Sequence, residues 1–348
     1  MRTILLYMAL ALAPCTAVAQ SSLPAARQTP PGVETGTLEK ADASAIRDLD
    51  TVVVSGSQPG PGLWRISKGD HVLWILGTQS PLPRRMEWES GPVEEVLSRS
   101  QELIQPPSVG VKADVGFFRM LGLIPSALKA RKNPDGRTLQ QMVPPTQYAR
   151  WQALKARYIG DDRGIERWRP VFAALELYDK AIERSGMTTS GSVVPAVAKM
   201  AKRYKLKVTP AKVEIPIADP KRALKEFASS SLDDLQCFEK TLDRIQGDLD
   251  NMAARANAWA VGDINLLRDL PANSQFAACS AAFTEAGLAR KYGMSDLAQQ
   301  VERKWVSAAE SALTSNASTF ATLPIGELLK TDGYLARLQA KGYEVQAP

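Results

Sequence analysis

Two apolar segments around residue 70 constrain the fold more than any other feature of the chain. Leu63 to Ile66 alternates apolar and polar residues, as a strand with one buried face does, whereas Val72 to Leu76 is apolar throughout. The residues between them, Ser67-Lys68-Gly69-Asp70, are typical of a tight turn. The pattern predicts a β-hairpin whose second strand is buried on both faces, so the hairpin belongs to a sheet that other elements cover.

Beyond this hairpin the apolar spacing is mainly helical. Helices are predicted after Ser90, which could cap the first of them, and over residues 148–158, 171–182, 297–305 and 331–340. Strands are predicted over 102–104, 318–323 and 343–345. The segment 208–217 is also β-prone, but its two prolines restrict it to a sheet edge or a loop.

The longest apolar stripe runs from Ser231 to Ala260, in alternating steps of three and four residues. It predicts one long helix, begun by Ser231 and Asp234 as a capping pair and stopped at Gly262. The stripe fits a core-facing helix of the same domain, and it also fits a seam with a partner helix from another chain.

Strands are predicted at both ends of the chain, with most of the helices between them. The order strand, turn and helix occurs at 72–98 and again, loosely, at 318–340. We therefore predict an α+β fold with a central mixed sheet built from N- and C-terminal strands and covered by many helices.

The first residues have the three-part layout of a secretory signal peptide. Arg2 provides a positive start, Ile4 to Leu12 is a short apolar stretch, and Ala17-Val18-Ala19 is a cleavage signal. We predict a signal peptide over residues 1–19, a flexible linker over 20–62, and a periplasmic or secreted mature protein. A lipoprotein anchored through Cys15 is the alternative, although Pro14 fits a lipobox poorly.

Two cysteines follow the signal peptide, Cys237 and Cys279. An even number of cysteines in an oxidising compartment predicts one disulfide, and two buried free thiols are the alternative.

Composition and motifs exclude several classes of function. The net charge of +6 is a mild excess, and its densest run, Lys199 to Lys207, fits a solvated helix face rather than a nucleic-acid surface. No segment after the signal peptide is long and apolar enough to predict a transmembrane helix. The chain lacks phosphate-binding glycine motifs and a nucleophile elbow. Its single histidine, His71, begins a predicted strand, where a structural role is expected.

Blocks at the two ends of the chain carry a resemblance to a known family. The first runs from Gly62 to Thr78, and the second from Gly326 to Val345. Together with segments 135–139 and 259–263, they resemble the TraB/GumN family, which is related to PrgY and to Tiki-type metalloproteases. The resemblance implies one TraB/GumN-like domain over residues 63–348.

The resemblance also implies a divalent metal bound near two G-x-x-H motifs. In this chain the first motif is Gly77-Thr78-Gln79-Ser80, so that Ser80 stands in the histidine's place. In the second motif Glu327 replaces the histidine and Pro324 the glycine. Both histidines of the family pattern are therefore missing.

The family pattern further includes a glutamate on the strand after the first helix and an Arg-Asn pair on a late helix. Gln105 stands in the position of the glutamate, with Glu102 as the candidate if the register is shifted. Arg303-Lys304 corresponds to the late pair and keeps only its arginine.

These replacements weaken the predicted metal site. A hydroxyl is a poorer ligand than imidazole, the amide of Gln105 has no charge, and Lys304 adds positive charge. Glu327 could still bind a hard ion, but one carboxylate rarely makes a tight site. We therefore expect no bound metal and no other cofactor.

The favoured interpretation is an exported TraB/GumN-like protein that is catalytically degenerate and binds a protein partner or a small polar ligand in the cell envelope. We expect Ser80 and Glu327 to lie at adjacent strand ends facing one cleft. The alternative is a metal-dependent hydrolase or peptidase with an altered active site, drawing on Ser80, Glu102, Glu327, Arg303 and Glu87. A purely structural role in an envelope assembly is a third hypothesis.

Overall fold

The computed structural model describes residues 60–113, 115–190, 193–230, 232–247, 249–270, 274–284 and 287–348. The predicted signal peptide, Cys15 and Ser231 lie outside the described residues, as does the predicted linker up to residue 59.

Strands and helices alternate along the described chain. The strands are β1 (Leu63–Lys68), β2 (His71–Thr78), β3 (Leu82–Pro83), β4 (Glu102–Ile104), β5 (Ser108–Lys112), β6 (Met187–Thr188), β7 (Lys207–Thr209), β8 (Lys212–Pro216), β9 (Ser318–Pro324) and β10 (Glu344–Gln346). The helices are α1 (Gly91–Ser98), α2 (Phe117–Leu121), α3 (Ile124–Ala130), α4 (Leu139–Met142), α5 (Pro145–Tyr158), α6 (Pro170–Arg184), α7 (Val193–Arg203), α8 (Pro220–Ser229), α9 (Leu235–Gly247), α10 (Leu249–Val261), α11 (Ile264–Asp269), α12 (Ser274–Thr284), α13 (Gly287–Lys291), α14 (Leu297–Ser315), α15 (Ile325–Leu328) and α16 (Tyr334–Ala340).

A six-stranded mixed sheet forms the centre of the fold, in the order β10-β1-β2-β9-β4-β7. The hairpin strands β1 and β2 pair antiparallel, and β10 adds antiparallel to β1. From β2 onward, β9, β4 and β7 are all parallel. The predicted α+β fold is therefore confirmed, with its sheet built from both ends of the chain.

The strands β2 and β9 lie in the middle of this sheet. They pair in parallel over seven residues, from Val72↔Ser318 to Thr78↔Pro324. All residues from Thr319 to Leu323 are buried, and because side chains alternate between faces, both faces of β9 are covered. Leu73, Ile75 and Leu76 of β2 are also fully buried.

Two hydrophobic cores share the described chain. The first surrounds the sheet and includes Trp64, Phe320 and Trp305, and α14 packs against β2, β4 and β9. The second joins α5, α6 and α9 through residues such as Trp151 and Phe238. Burying such side chains stabilises each core by roughly 1.5–3 kcal/mol per residue.

The single helix predicted from Ser231 to Ala260 is wrong, because the stripe divides into α9 and α10. Phe238 and Leu242 belong to the helical core, whereas Ala256 and Trp259 belong to the sheet core. One straight helix cannot follow both cores, and α9 ends at Gly247, where glycine costs helix stability.

Asp234 also differs from its predicted role as a cap of this helix. Its Oδ2 accepts a hydrogen bond of 2.9 Å from the backbone N–H of Val171, in the first turn of α6. The carboxylate therefore caps a helix distant in sequence and ties the entry of α9 to α6.

Two further helix starts are corrected. Ser90 precedes α1 at the predicted place, but its side chain makes no capping hydrogen bond. The helix predicted from Thr331 begins at Tyr334. In contrast, the segment 208–217 lies as predicted at a sheet edge, where β7 is the outermost strand of the large sheet and β8 pairs with β5.

A disulfide joins Cys237 of α9 to Cys279 of α12, with an S–S distance of 1.99 Å. The predicted disulfide is therefore confirmed. Among the described residues, no helix is long and apolar enough to cross a membrane.

Removing the disulfide should destabilise the protein. The bond closes a loop of 42 residues, and the chain-entropy estimate for such a loop is about 4 kcal/mol at 25 °C. We expect Cys237→Ala/Cys279→Ala to lower the free energy of unfolding by that order, as measured by denaturant titration. Unchanged stability in both the double variant and the reduced wild-type protein would show that the bond contributes nothing.

Candidate functional site

Three adjacent parallel strands end at the same edge of the sheet, here called the carboxyl edge. These strands are β2, β9 and β4, and Thr78 at the end of β2 lies opposite Pro324 at the end of β9. Ser80, Gln105 and Glu327 follow these three strands directly. The topology thus places the three candidates at one edge, which is where parallel sheets commonly bind ligands.

Ser80 lies on the segment that leads from the sheet to the helical core. Its side chain is exposed, and its Oγ donates to the carbonyl oxygen of Thr189 at 3.3 Å. The short strand β3 begins two residues after Ser80 and pairs with β6. At Gly77, the first residue of the motif, the buried carbonyl oxygen accepts a hydrogen bond of 2.8 Å from the indole Nε1 of Trp259. The first and last residues of the first motif, Gly77 and Ser80, therefore both hydrogen-bond to residues distant in sequence.

Glu327 lies in the short helix α15, directly after β9. Both of its carboxylate oxygens accept hydrogen bonds of 2.8 Å from the ammonium of Lys330. This local ion pair offsets the negative charge that a cation would need.

Sequence reasoning missed a second carboxylate and a tyrosine beside Glu327. Glu302 of α14 forms an ion pair of 3.2 Å with Arg337, and Tyr334 is buried nearby against Trp305. Burial raises the pKa of Tyr334 well above its usual value, and the charges of Glu327 and Glu302 raise it further, so its hydroxyl stays protonated.

The helical spacing of α14 could have identified Glu302. It precedes the buried Trp305, Val306 and Ala309 by three, four and seven residues, and so shares their face. Arg303 and Lys304 are exposed instead, and Arg303 pairs with Asp296 at 2.9 Å. No hydrogen bond or ion pair between described residues joins Arg303 or Lys304 to Ser80, Gln105 or Glu327.

The other candidates are exposed or lie elsewhere. Gln105 is exposed, and its backbone N–H donates to Thr209 at 2.9 Å, which extends the pairing of β4 with β7. Glu87 is exposed on the loop before α1. Glu102 begins β4 and aligns with Thr319, so it lies at the opposite, amino edge of the sheet, about 16 Å from the ends of β2 and β9.

Glu102 is the centre of a buried polar network at this amino edge. Its carboxylate accepts hydrogen bonds from Asn316 at 2.8 Å, from Lys207 at 3.1 Å and from the hydroxyl of Thr209. The carbonyl of Asn316 in turn accepts from Nδ1 of His71 at 2.8 Å, so the only histidine is structural. Burial favours the neutral form of Glu102, but the three hydrogen bonds prevail and hold its pKa below the usual value.

The side chains at the carboxyl edge do not fit a divalent metal. Ser80 offers a hydroxyl that is already engaged, and Gln105 offers an uncharged amide. The carboxylates of Glu327 and Glu302 are paired with Lys330 and Arg337. Zn²⁺, Mn²⁺ and Co²⁺ prefer imidazole, thiolate or unpaired carboxylate ligands. Within the described residues, no group of three His, Cys, Asp or Glu side chains could hold a metal ion.

The fold and the site define an α+β protein with polar side chains at the carboxyl edge of a mixed sheet. The family model described as the TraB/PrgY/gumN family matches residues 62–347. The chain therefore belongs to the TraB/PrgY/gumN family. Searches of curated proteins and of solved structures returned no match.

Replacing Glu102 by glutamine should cost stability in a pH-dependent way. Because the folded-state pKa lies below the unfolded value of about 4.3, the carboxylate stabilises the fold above that pH and loses this contribution as the pH falls through the folded value. We expect Glu102→Gln to lower the free energy of unfolding by about 2 kcal/mol at neutral pH, and by less in acid.

Denaturant titrations over a range of pH measure this difference. Glu95→Gln is the matched control, because its ion pair with Arg99 is largely exposed. An equal loss for Glu102→Gln at neutral and acidic pH would contradict the assigned charge state.

Proposed function

We propose that this chain is an exported protein, periplasmic or secreted, that acts by binding a ligand or protein partner and has lost the family's metal-dependent catalysis. Its mature form begins after cleavage near Ala19. The domain over residues 63–348 is the binding module.

The ion pair between Glu327 and Lys330 carries this proposal. Glu327 has the only carboxylate among the three residues that follow the parallel strands, and its charge is offset at both oxygens. A hydroxyl, an amide and a neutralised carboxylate can exchange hydrogen bonds with a polar ligand. They provide neither the charge that holds a divalent cation nor a free base that activates water.

Two observations support export. The first nineteen residues have the layout of a signal peptide. The disulfide between Cys237 and Cys279 is of the kind that persists in oxidising compartments and is rare in the cytosol.

Metal binding tests the loss of catalysis. We expect the exported, purified protein to take up no stoichiometric Mn²⁺, Co²⁺ or Zn²⁺, and to cleave no peptide when these ions are added, because the donor set lacks charge. Elemental analysis and calorimetry measure the uptake, and a fluorogenic peptide library measures cleavage.

Glu327→Gln is the test variant for metal uptake and cleavage. Glu344→Gln is its matched control, since Glu344 is an exposed glutamate on the edge strand β10. One equivalent of tightly bound metal, with cleavage abolished by Glu327→Gln and retained by Glu344→Gln, would establish the altered hydrolase instead.

Export is tested by the N-terminus of the mature chain. In a Gram-negative host we expect the full chain to reach the periplasm or medium with Gln20 as its first residue, as measured by fractionation and mass spectrometry. Ala19→Asp should block cleavage, because signal peptidase requires a small residue there. A membrane-bound form lipidated at Cys15, or an unprocessed cytosolic form, would contradict this expectation.

A further inference from the structure

A positively charged cleft of about 530 Å³ opens in the helical part of the molecule. Its charged lining consists of four cations and one carboxylate: Arg131, Lys132, Arg163, Arg167 and Asp162. Trp168 provides an aromatic wall. The cleft is widely open to solvent, and its volume is large enough to accept a small ligand at the surface.

The backbone around the cleft is held rigidly. Lys132 and Trp168 form an antiparallel bridge, and the buried guanidinium of Arg169 donates to the carbonyl oxygen of Lys132 at 3.3 Å. The same guanidinium also donates to the carbonyl oxygens of Phe227, Ala228 and Ser230 at the carboxyl end of α8. Positions 131–132 and 167–168 are therefore fixed relative to one another, as a preorganised site requires.

The four cations outnumber the one acidic side chain that lines the cleft with them. Among the described residues, none of them has an ion pair within 4 Å. Glu166 is next to Arg167 in sequence, but its carboxylate instead pairs with Lys155 at 2.8 Å and accepts a hydrogen bond from Nε1 of Trp151 at 3.1 Å. The one acidic side chain of the cleft, Asp162, accepts a hydrogen bond from the backbone N–H of Gly164.

Arg131, which lines the cleft, has a donor atom without a hydrogen-bond partner among the described residues. Its guanidinium stacks on the ring of Trp168 at 3.8 Å, and its buried Nε has no hydrogen-bond partner in the described part of the chain. Burial lowers the pKa of Arg131, and the more distant charges of Glu176 and Asp162 only partly offset this. A buried donor without a protein partner is uncommon, and an ordered water molecule or a ligand commonly satisfies such a group.

We propose that this cleft is a binding site for a small anion with several phosphate or carboxylate groups, held by Arg131, Lys132, Arg163 and Arg167. Guanidinium groups suit such ligands because their planar donors bind two oxygens at once. The cleft is distinct from the carboxyl edge of the sheet, and the proposal does not depend on the loss of metal catalysis.

Titration calorimetry of the full exported protein tests the site with tripolyphosphate and citrate as probes, at low and at high salt. Arg163→Gln/Arg167→Gln removes two exposed cleft cations whose side chains make no hydrogen bond or ion pair with other described residues. Lys199→Gln/Lys202→Gln is the matched control, because it removes the same charge from an exposed face of α7. We expect one equivalent to bind the wild-type protein, with affinity falling about tenfold or more in the cleft variant and little in the control.

The relative affinities of the two probes assign the ligand to the phosphate or the carboxylate class. Equal losses in the two double variants would overturn the proposal, because they would show attraction by net charge alone. The absence of binding by both probes at low salt would also overturn it.

Discussion

The parallel pairing of β2 with β9 is the constraint on which the rest of the structure depends. It joins Thr78 to Leu323 across 245 residues, so the closure of a very long loop has to be offset by burial. The apolar residues of both strands provide that burial, because both faces of β9 and the core residues of β2 are covered. Ser80 and Glu327, which follow β2 and β9, owe their proximity along the carboxyl edge to this pairing.

The two edges of the sheet use charge in different ways. At the amino edge, Glu102 is buried and accepts hydrogen bonds from three residues, two on β7 and one in the turn before β9, which ties β4 to both. At the carboxyl edge, Glu327 is paired with a cation of its own segment and remains partly exposed. A buried and saturated carboxylate stabilises a fold, whereas exposed polar groups remain free to exchange partners with a ligand.

The helical core is a second hydrophobic core, separate from the one around the sheet. Asp234 and the disulfide both fasten α9, one to α6 and the other to α12. The basic cleft lies in this part of the molecule. Beside it, the buried guanidinium of Arg169 binds backbone carbonyl oxygens and so does not face solvent. The proposed ligand site is thus supported by structural interactions rather than by the candidate residues of the carboxyl edge.

The sequence by itself determined the hairpin, the strands 102–104 and 318–323 and the family resemblance, because each depends on local periodicity or motif spacing. It favoured the disulfide over two buried free thiols from the even number of cysteines alone. It also predicted Ser80, Gln105 and Glu327 as candidates through the family pattern alone. Only the tertiary structure decided that the stripe from Ser231 to Ala260 divides between two cores, and that Glu102 lies at the edge opposite the candidates. It alone also decided that Lys330 neutralises Glu327 and that four cations converge near Trp168. These features depend on contacts between distant segments, and local spacing carries no information about which distant partner a side chain meets.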